Sequence, residues 1–292
     1  MSYKYSETFF SAQGEGQYIG VPSLWIRFFL CNLQCNGFGQ EDPTNPDTYD
    51  LPYERIDLTD ITRVEDLPVF EKGCDSSYTW SKKFRHLMKD KEIPDIVDEL
   101  ELLLPHSLFK HPATGQYNHM VFTGGEPMMN QEAMKKILLE FSSRQNPAPY
   151  VTVETNGTKA LKTDFHEIVD FTNDTLDGEW FWSISPKLWS TAGEKAKRAI
   201  KPEVVGSYAD VSPYGQLKFV VNGSDESWKE VEDNVKAFRD AGCNFPVWIM
   251  GVGGTFEGLV QTEAQIADET IQRGYNYTSR VHVHIYGNAI GK

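Results

Sequence analysis

Three cysteines are the residues of this chain whose spacing most directly suggests chemistry. Cys31 and Cys35 flank three residues, and Cys74 follows after a further 38. Three thiolates suit an iron–sulfur cluster with one iron left open, whereas a structural zinc requires four ligands in a closed tetrahedron. Spacing alone leaves a cluster, a zinc site completed by Cys243, and simple packing open. Cys243 ends an amphipathic pattern, so we expect it in the core.

A second cluster of residues, Thr123-Gly124-Gly125-Glu126-Pro127, can bring backbone groups close to a ligand because glycine carries no Cβ. Its carboxylate, Glu126, could hold a cationic amine. The same residues would also form an ordinary turn from a strand into a helix, with Pro127 at the helix start. This motif is therefore a candidate ligand site that needs support from its neighbours.

These clusters are positioned by short apolar runs that alternate with helical patterns. One helical stripe contains Met134, Ile137, Leu138 and Phe141, and another contains Trp228, Val231, Val235 and Phe238. Strands that alternate with helices pair in parallel through right-handed crossovers, which predicts an α/β fold, either an open or closed barrel or a doubly wound sheet. The predicted strands are 24–30, 119–122, 150–153, 180–184, 216–221, 247–250 and 281–285.

Nearly every polar, glycine-containing cluster follows directly after one of these predicted strands. In parallel α/β architectures the carboxyl ends of the strands carry the functional site, so these clusters should converge. That convergence predicts an enzyme. The clusters are 31–35, 123–127, 154–158 and 185–187.

Residues 36–73 interrupt the alternation with four prolines and no sustained period, which predicts a long inserted loop in a single domain of residues 1–292. The insertion carries ten acidic and three basic residues. It therefore accounts for −7 of the formal charge of −14. That net charge argues against sequence-independent binding of nucleic acid, which requires a basic surface.

The composition, with 40% hydrophobic and 13% aromatic residues, is that of a folded globular chain. No run of about 18 apolar residues occurs, and the first residues lack the order of a signal peptide. Four cysteines are too few for a secreted disulfide scaffold. We therefore expect a cytoplasmic protein that contacts neither a membrane nor nucleic acid directly.

The cysteine turn, the Gly-Gly-Glu-Pro cluster and Glu154-Thr155-Asn156-Gly157 resemble the radical S-adenosylmethionine superfamily. Within it, the joint pattern resembles the 7-carboxy-7-deazaguanine synthase family from Tyr5 to Lys292, except in the 36–73 insertion. The further motifs that carry this resemblance are Phe10-Ser11-Ala12-Gln13-Gly14-Glu15-Gly16, Gly20-Val21-Pro22, Ile26-Arg27-Phe28, Cys74-Asp75-Ser76 with Tyr78 and Trp80, Ser185-Pro186-Lys187, Leu217-Lys218-Phe219-Val220-Val221, Arg280-Val281-His282 and Gly287-Asn288.

One departure concerns the third cysteine, which the family usually places two residues after the second. Asn36-Gly37-Phe38-Gly39 occupies that place here. We assign Cys74 because the Asp-Ser-x-Tyr-x-Trp context after it matches the residues that come after the family's last cysteine. Doubling the length of a loop costs only about 0.6 kcal/mol in closure entropy, so the late cysteine is compatible with a cluster.

The resemblance implies a modified, incomplete (β/α) barrel of the TIM-like, radical S-adenosylmethionine type. It also implies a [4Fe–4S] cluster on Cys31, Cys35 and Cys74 whose open iron chelates S-adenosylmethionine. Cleavage of that cosubstrate would give a 5′-deoxyadenosyl radical, which the barrel must shield from water. Asn156 could instead be a helix cap, and Lys187 a surface cation. The residues implied for S-adenosylmethionine are Gly125, Glu126, Glu154, Asn156, Ser185 and Lys187.

The implied reaction is a lyase step that contracts 6-carboxy-5,6,7,8-tetrahydropterin to 7-carboxy-7-deazaguanine with loss of ammonia. Arg27, in the middle of an apolar strand, either snorkels from an edge or points inward to pair a substrate carboxylate. Gln13 and Glu15 suit the aminopyrimidine edge of a pterin, or else belong to a solvated turn. The residues implied for substrate binding and catalysis are Ala12, Gln13, Gly14, Glu15, Arg27, Thr123 and His282.

Two polar side chains near these motifs have competing explanations. Ser76 stands where the family usually has a threonine ligand to Mg²⁺, although it could instead cap a helix from Tyr78. Arg280, His282 and His284 would share one face of the predicted strand 281–285, a polar stripe typical of a lined cavity. We expect His282 near the substrate and His284 in packing.

A basic stretch of residues 82–91 follows Cys74 in this acidic chain. It contains Lys82, Lys83 and Arg85, and either forms a solvated surface or docks an acidic electron donor such as flavodoxin. The family commonly forms homodimers, so we expect one here. Two alternatives to the synthase are a glycyl-radical-type activase and a non-catalytic zinc- or cluster-binding module that uses the insertion as its contact surface.

Overall fold

Nine strands, most of them short apolar runs, pair side by side into one sheet in a computed structural model that describes residues 1–292. The strands are β1 (Tyr3–Ala12), β2 (Pro22–Phe28), β3 (Lys89–Lys91), β4 (His119–Gly124), β5 (Tyr150–Thr155), β6 (Glu179–Ile184), β7 (Gly215–Val221), β8 (Val247–Gly251) and β9 (Asn276–Tyr277). Their order is β3-β1-β2-β4-β5-β6-β7-β8-β9. All pairs from β2 to β9 are parallel, whereas β1 pairs antiparallel with β2 and β3.

Helices connect most of the parallel strands, as the alternation of patterns predicted. They are α1 (Pro52–Arg55), α2 (Ile93–Leu103), α3 (Gln131–Ser143), α4 (His166–Asp170), α5 (Trp189–Ala192), α6 (Ala196–Ala199), α7 (Pro202–Val211), α8 (Asp225–Asp240), α9 (Phe256–Val260), α10 (Glu263–Gln272) and α11 (Val281–Tyr286). The predicted α/β class is therefore confirmed. None of these helices is both long and apolar enough to cross a membrane.

The strand β7 shows how one apolar run both builds the core and faces the site. All seven of its residues are buried. Leu217, Phe219 and Val221 belong to the main hydrophobic core, whereas Lys218 and Val220 line a cavity on the other face. A parallel strand that is covered on both faces has a nearly continuous run of hydrophobic residues, so β7 could be predicted from the sequence.

The two predicted helical stripes are α3 and α8. Every stripe residue of α3 is buried in the main core. In α8, Trp228, Val231 and Phe238 are buried, and Val235 packs against the core while partly exposed. Cys243, just after α8, is fully buried in the same core, as expected.

The predicted strand 281–285 is wrong, because these residues form α11. The amides of Val283 and His284 donate to the carbonyl of Arg280, so a helical turn uses the donors that a strand would pair. Only Val283 is buried, whereas Ile285 is 59% exposed. The alternation of β-branched residues was misleading here because the sheet already ends at the two-residue strand β9.

The insertion is largely irregular, as predicted, but it has a hydrophobic core of its own. Three short helical turns interrupt it, at Pro46–Thr48, Pro52–Arg55 and Val64–Asp66. Its apolar side chains pack against the residues that follow Cys74. Long loops without secondary structure are uncommon in compact domains, and this packing holds the insertion against the rest of the chain. The buried members of this insertion core are Tyr53, Val64, Leu67, Phe70, Tyr78, Phe84 and Leu87.

The sheet is curled, as shown by contacts between the loop after β1 and residues near the opposite edge of the sheet. The Gly16 amide donates to Thr278 Oγ1 at 2.7 Å, just beyond β9, and the Gln17 amide donates to Gln216 Oε1 of β7 at 2.9 Å. No pairing joins β3 to β9, so the sheet remains open. The curl brings the ends of distant strands around one space.

Candidate functional site

A cavity of about 280 Å³ lies inside the curled sheet, where the carboxyl ends of the parallel strands converge. Strand β2 and strands β4 through β8 each contribute side chains to it. Every predicted site residue except Glu126 lines this cavity. These residues are Ala12, Gln13, Gly14, Glu15, Arg27, Cys31, Cys35, Cys74, Ser76, Thr123, Gly125, Glu154, Asn156, Ser185, Lys187 and His282.

The three thiols belong to one small cluster with Leu33 and Phe38. The amide of Leu33 donates to Cys31 Sγ at 3.4 Å. Burial raises the pKa of Cys31 to about 12 and also raises the pKa values of Cys35 and Cys74. These thiols therefore stay neutral unless a bound cation stabilises their thiolates.

Cys74 is flanked by two polar groups that favour its thiolate. Ser76 Oγ lies 3.4 Å from Cys74 Sγ, and both Ser76 and the Trp80 indole N–H lower the pKa of Cys74 against the larger effect of burial. Ser76 precedes a 3₁₀ turn at Ser77–Thr79, but its side chain makes no capping hydrogen bond. The alternative role of Ser76 as a helix cap is therefore not observed.

The glycine motif after β4 approaches the cysteine turn too closely for any side chain. A Cβ on Gly125 would lie 2.3 Å from the carbonyl oxygen of Leu30 and 2.8 Å from Cys31 Cβ. Gly124 also has a φ of +139°, which side chains rarely adopt. Both glycines are thus required by the contact between the two loops.

Glu126 has a different place from the one predicted. It is fully buried outside the cavity lining, and its carboxylate accepts hydrogen bonds from the Met128 amide, the Thr155 hydroxyl and the Asn156 amide at 2.6–3.0 Å. Burial raises its pKa, although these donors oppose that shift. Glu126 therefore joins the loops after β4 and β5.

A charge network at the cavity contains Glu15, Lys218, Arg280 and His282, which are largely buried, and the more exposed Asp75. Glu15 is bonded to Lys218 through one oxygen and to Arg280 through the other, at 2.9 Å, and Arg280 also contacts Asp75 at 2.6 Å. Burial alone would raise the pKa of Glu15, but Lys218 and Arg280 hold it well below its usual range. Burial and Arg280 lower the pKa of His282 to about 4, so its imidazole is neutral at pH 7.

Arg27 points into the cavity from β2. Its Nε donates to Glu7 Oε1 at 2.7 Å, and the guanidinium lies 5.9 Å from the ring centre of Phe9. Tyr78 donates to the same oxygen of Glu7 at 2.7 Å. Burial opposes the charge of Arg27, but Tyr78 and Glu7 raise its pKa further, so it remains a cation. Its terminal nitrogens make no hydrogen bond within the protein and are free for a ligand.

Glu154 organises the polar groups between β1 and β4. It accepts from Gln13 Nε2 at 3.3 Å and from Thr123 Oγ1 at 3.0 Å. Nearby, Lys187 donates to Ser185 Oγ at 2.8 Å and lies above the ring of Phe38, so Lys187 is a cavity cation rather than a surface one.

Asn156 combines a local and a longer contact. Its side-chain oxygen accepts from the Thr158 amide at 3.1 Å, which caps the local turn. Its Nδ2 donates to Asn32 Oδ1 at 3.2 Å and lies 4.0 Å from Cys31 Sγ. The residue thus ties the β5 loop to the cysteine turn.

Five residues that line the cavity or bond to its residues were not assigned a role from the sequence: Glu7, Asp75, Glu194, Lys218 and Arg280. Lys218 had a usable signal, because a lysine within the apolar run of β7 must be compensated if buried. Glu194 had none, since its contacts lie about 160 positions away in the cysteine turn. His284, expected in packing, is exposed, contacts Glu263 at 3.1 Å and does not line the cavity.

Comparison with known proteins gives a consistent picture. No family model matches the chain. Curated relatives named 7-carboxy-7-deazaguanine synthase include those of Pyrobaculum aerophilum, 26% identical over 98% of this chain and 96% of the relative, and Halobacterium salinarum, 26% identical over 97% and 90%. The relative from Rhodopirellula baltica is 25% identical over 98% and 87%. The resemblance predicted from the motifs is therefore confirmed over nearly the full chain.

A solved structure of QueE from Escherichia coli has the same fold. It aligns with a TM-score of 0.54 at 15% identity and covers 96% of this chain and 95% of that chain. At that identity the likeness concerns the arrangement of sheet and helices.

Proposed function

We propose that this protein is a radical S-adenosylmethionine lyase that converts 6-carboxy-5,6,7,8-tetrahydropterin to 7-carboxy-7-deazaguanine, releasing ammonia, in 7-deazaguanine and queuosine biosynthesis. The observation that carries this proposal is one cavity lined both by three thiols and by a network of buried cations and carboxylates. The shared name of the relatives supports the reaction. In this proposal the curled sheet is an incomplete (β/α) barrel in a single domain, with 36–73 as its insertion.

The cysteine group fits a [4Fe–4S] cluster better than a single zinc ion. A structural zinc takes four ligands, whereas three thiols line the cavity and Cys243 is buried in the main core. In a cluster each thiolate binds a different iron, so Cys31, Cys35 and Cys74 would hold three of the four. Bound together, cluster and S-adenosylmethionine would supply the chemistry of hydrogen abstraction.

S-adenosylmethionine would bind beside Cys31. Gly125 lines the cavity beside Cys31, where its backbone would meet the amine, and Lys187 with Ser185 would meet the carboxylate. Glu154 and Asn156 would hold the ribose. Glu126 would act through Asn156, whose amide it fixes, rather than touch the cosubstrate.

The pterin would lie between Arg27 and Glu15. The free terminal nitrogens of Arg27 can pair a carboxylate bidentately. Glu15 is held ionised, and each of its oxygens keeps a lone pair for the N–H groups of the aminopyrimidine edge. Gln13 and Thr123, aligned by Glu154, and the backbone at Ala12 and Gly14 would complete this edge.

His282 and Ser76 have narrower roles. His282 is neutral at pH 7 and packs so closely on Gly14 that a Cβ there would lie 2.1 Å from His282 Nδ1. It would therefore contact the substrate as a hydrogen-bonding group without charge. Ser76 would ligate Mg²⁺ together with the substrate carboxylate, since Mg²⁺ needs few protein ligands.

Anaerobic reconstitution with iron and sulfide tests the assignment. We expect about four irons per chain, a brown chromophore, and 7-carboxy-7-deazaguanine identified by mass after incubation with the tetrahydropterin, S-adenosylmethionine and Mg²⁺. One zinc per chain without cleavage of S-adenosylmethionine would refute the proposal. Cleavage without this product would favour an activase.

The electron donor would dock at a smaller basic surface than the sequence indicated. Lys82 and Arg85 are exposed, but Lys83 donates to the carbonyl of Glu54, and Lys89 and Lys91 both form ion pairs with Glu99. We propose that the exposed pair attracts an acidic reductant such as flavodoxin.

Charge reversal tests this docking surface. K82E/R85E should slow turnover with flavodoxin and spare turnover with dithionite. The control K229E/K236E makes the same charge change on exposed positions of α8. Equal slowing by both double variants would contradict a specific site.

The resemblance also supports a cytoplasmic homodimer. Sedimentation velocity at micromolar concentration would measure its mass, and a monomer throughout the range would contradict the dimer.

A further inference from the structure

The conformation of the cysteine turn is fixed from outside the turn. Cys35 has a φ of +53°, the left-handed region that non-glycine residues rarely adopt. Such a conformation persists only when surrounding groups hold it. Here those groups come from residues 189–200, which we call the clamp segment.

The clamp segment contacts both backbone donors and acceptors of the turn. The carbonyl of Ala192 accepts from the Gly37 amide at 3.0 Å, and Arg198 donates to the carbonyl of Asn32. Ala192 and Ala199 also pack against Leu33 and Cys35 in the thiol cluster. The segment therefore holds the turn both by hydrogen bonds to its backbone and by apolar packing.

Glu194 makes the most unusual of these contacts. Its side chain is 7% exposed, and Oε1 accepts from the amides of Gln34 and Cys35 at 2.7 and 3.0 Å. Its other oxygen lies 4.0 Å from Arg198, which is 57% exposed and hence well solvated. A carboxylate is thus buried against the turn with only a weak, screened counter-charge.

Two properties of the contact between Glu194 and the cysteine turn would affect the reduction potential of a cluster bound there. The potential of an iron–sulfur cluster depends on nearby charge and on hydrogen bonds to its sulfurs. The amides of Gln34 and Cys35 are occupied by Glu194, so they cannot donate to cluster sulfur. The carboxylate itself adds a negative charge, which disfavours an added electron.

We propose that Glu194 is a positioning residue of the cysteine turn and lowers the reduction potential of the cluster bound there. This inference rests on the cluster in the proposed function, not on the identity of the substrate. A lower potential makes the one-electron-reduced cluster a stronger donor to a bound sulfonium.

Redox titration of the reconstituted full-length protein, followed by electron paramagnetic resonance, tests the proposal. E194Q keeps an oxygen that can accept from both amides but removes the charge. We expect its cluster to be about tenfold easier to reduce, a positive shift of about 59 mV for one electron.

E230Q is the matched control. Glu230 also accepts from two backbone amides, those of Trp189 and Ser190, but it makes no hydrogen bond to the cysteine turn. Its potential should equal that of the wild type. A shift in E230Q as large as that in E194Q would overturn the assignment to Glu194.

R198Q keeps the test decisive if E194Q assembles too little cluster. Removing this cation should shift the potential in the negative direction, and an unchanged or positive potential would then overturn the proposal. An E194Q protein with four irons and the wild-type potential would overturn it directly while leaving the lyase assignment intact. A wild-type chain that forms no cluster would overturn both.

Discussion

Arg27 depends on a carboxylate that never reaches the cavity. Glu7 is 1% exposed, and one of its oxygens accepts from both Arg27 and Tyr78 while the other has no partner. Because Tyr78 follows Cys74 in the chain, this single oxygen links the segment of the third cysteine to the arginine proposed to bind the substrate.

E7Q should therefore weaken substrate binding without removing a ligand of either the cluster or the substrate. We expect KM for the carboxylated pterin to rise about tenfold with a smaller change in kcat, since a charged hydrogen bond is worth about 1.5–3 kcal/mol. Binding of a tetrahydropterin that lacks the carboxylate should be unaffected. Equal losses for both compounds would mean that Glu7 acts on the fold and not through Arg27.

The four cysteines should separate into two classes on substitution. C74A should abolish assembly of the full cluster, because Cys74 lines the cavity with Cys31 and Cys35. C243A should retain about four irons and lose roughly 1 kcal/mol of stability, since Cys243 is fully buried in the main core. Iron analysis and urea unfolding measure the two effects. Loss of iron in C243A would assign Cys243 to the metal site.

At the scale of elements, the sequence correctly predicted the strands and helices that have a regular hydrophobic period. The strands β4 to β8 and the helices α3 and α8 bury the stripes expected of them. The helix α11 was missed because Val281, Val283 and Ile285 alternate as a strand would, and only the absence of a neighbouring strand makes the helix the available structure. His282 still reached the cavity, since one residue of either element could face it.

The insertion is an element whose packing the sequence did not reveal. Its core is separate from the main one, and Val69, Phe70 and Glu71 form part of the cavity wall. Irregular segments of this kind are stabilised by individual tertiary contacts, such as the packing of Tyr53 on Phe70. Hydrophobic periodicity in the sequence does not predict such contacts.

F70A should therefore loosen the insertion and leave the sheet intact. Truncating a buried phenylalanine costs about 3–5 kcal/mol, and Phe70 is 2% exposed within the insertion core. We expect faster hydrogen exchange at residues 51–87 with unchanged protection in β4 to β8. F109A, in the main core, is the control that should affect the sheet. Uniform exchange in F70A would show that the two cores unfold together.

At the scale of the whole molecule, the pairing of charges in the cavity could not be predicted from spacing in the sequence. Glu15 and Lys218 are about 200 positions apart, and so their pairing depends on the curl of the sheet. The sequence located the cysteine turn and the polar clusters of the cavity because they lie at or near the ends of strands, but it could not show which charges neutralise one another. The net charge of −14 likewise describes the surface and the insertion more than the site.

Stability should fall as the pH is lowered from about 6.5 to about 4. Burial lowers the pKa values of His119 and His282 to about 4, so the unfolded chain binds protons in this window that the folded chain does not. Each histidine contributes a slope of up to about 1.4 kcal/mol per pH unit.

H119F isolates one of these contributions, because it keeps an aromatic ring on Tyr150 and removes the titrating group. Urea unfolding at several pH values should show a shallower dependence than the wild type. The same slope in both proteins would contradict the shifted pKa of His119.

The curl also means that residues translated at different times form the wall of one cavity. Cys31, Cys35 and Cys74 leave the ribosome long before Arg280 and His282, which line the same cavity. The clamp segment, which packs against Cys35, also follows the cysteines in the chain, so a nascent chain lacks part of the enclosure around its thiols until these later residues have been translated. Loading of the metal centre would then be easiest on an unfinished chain.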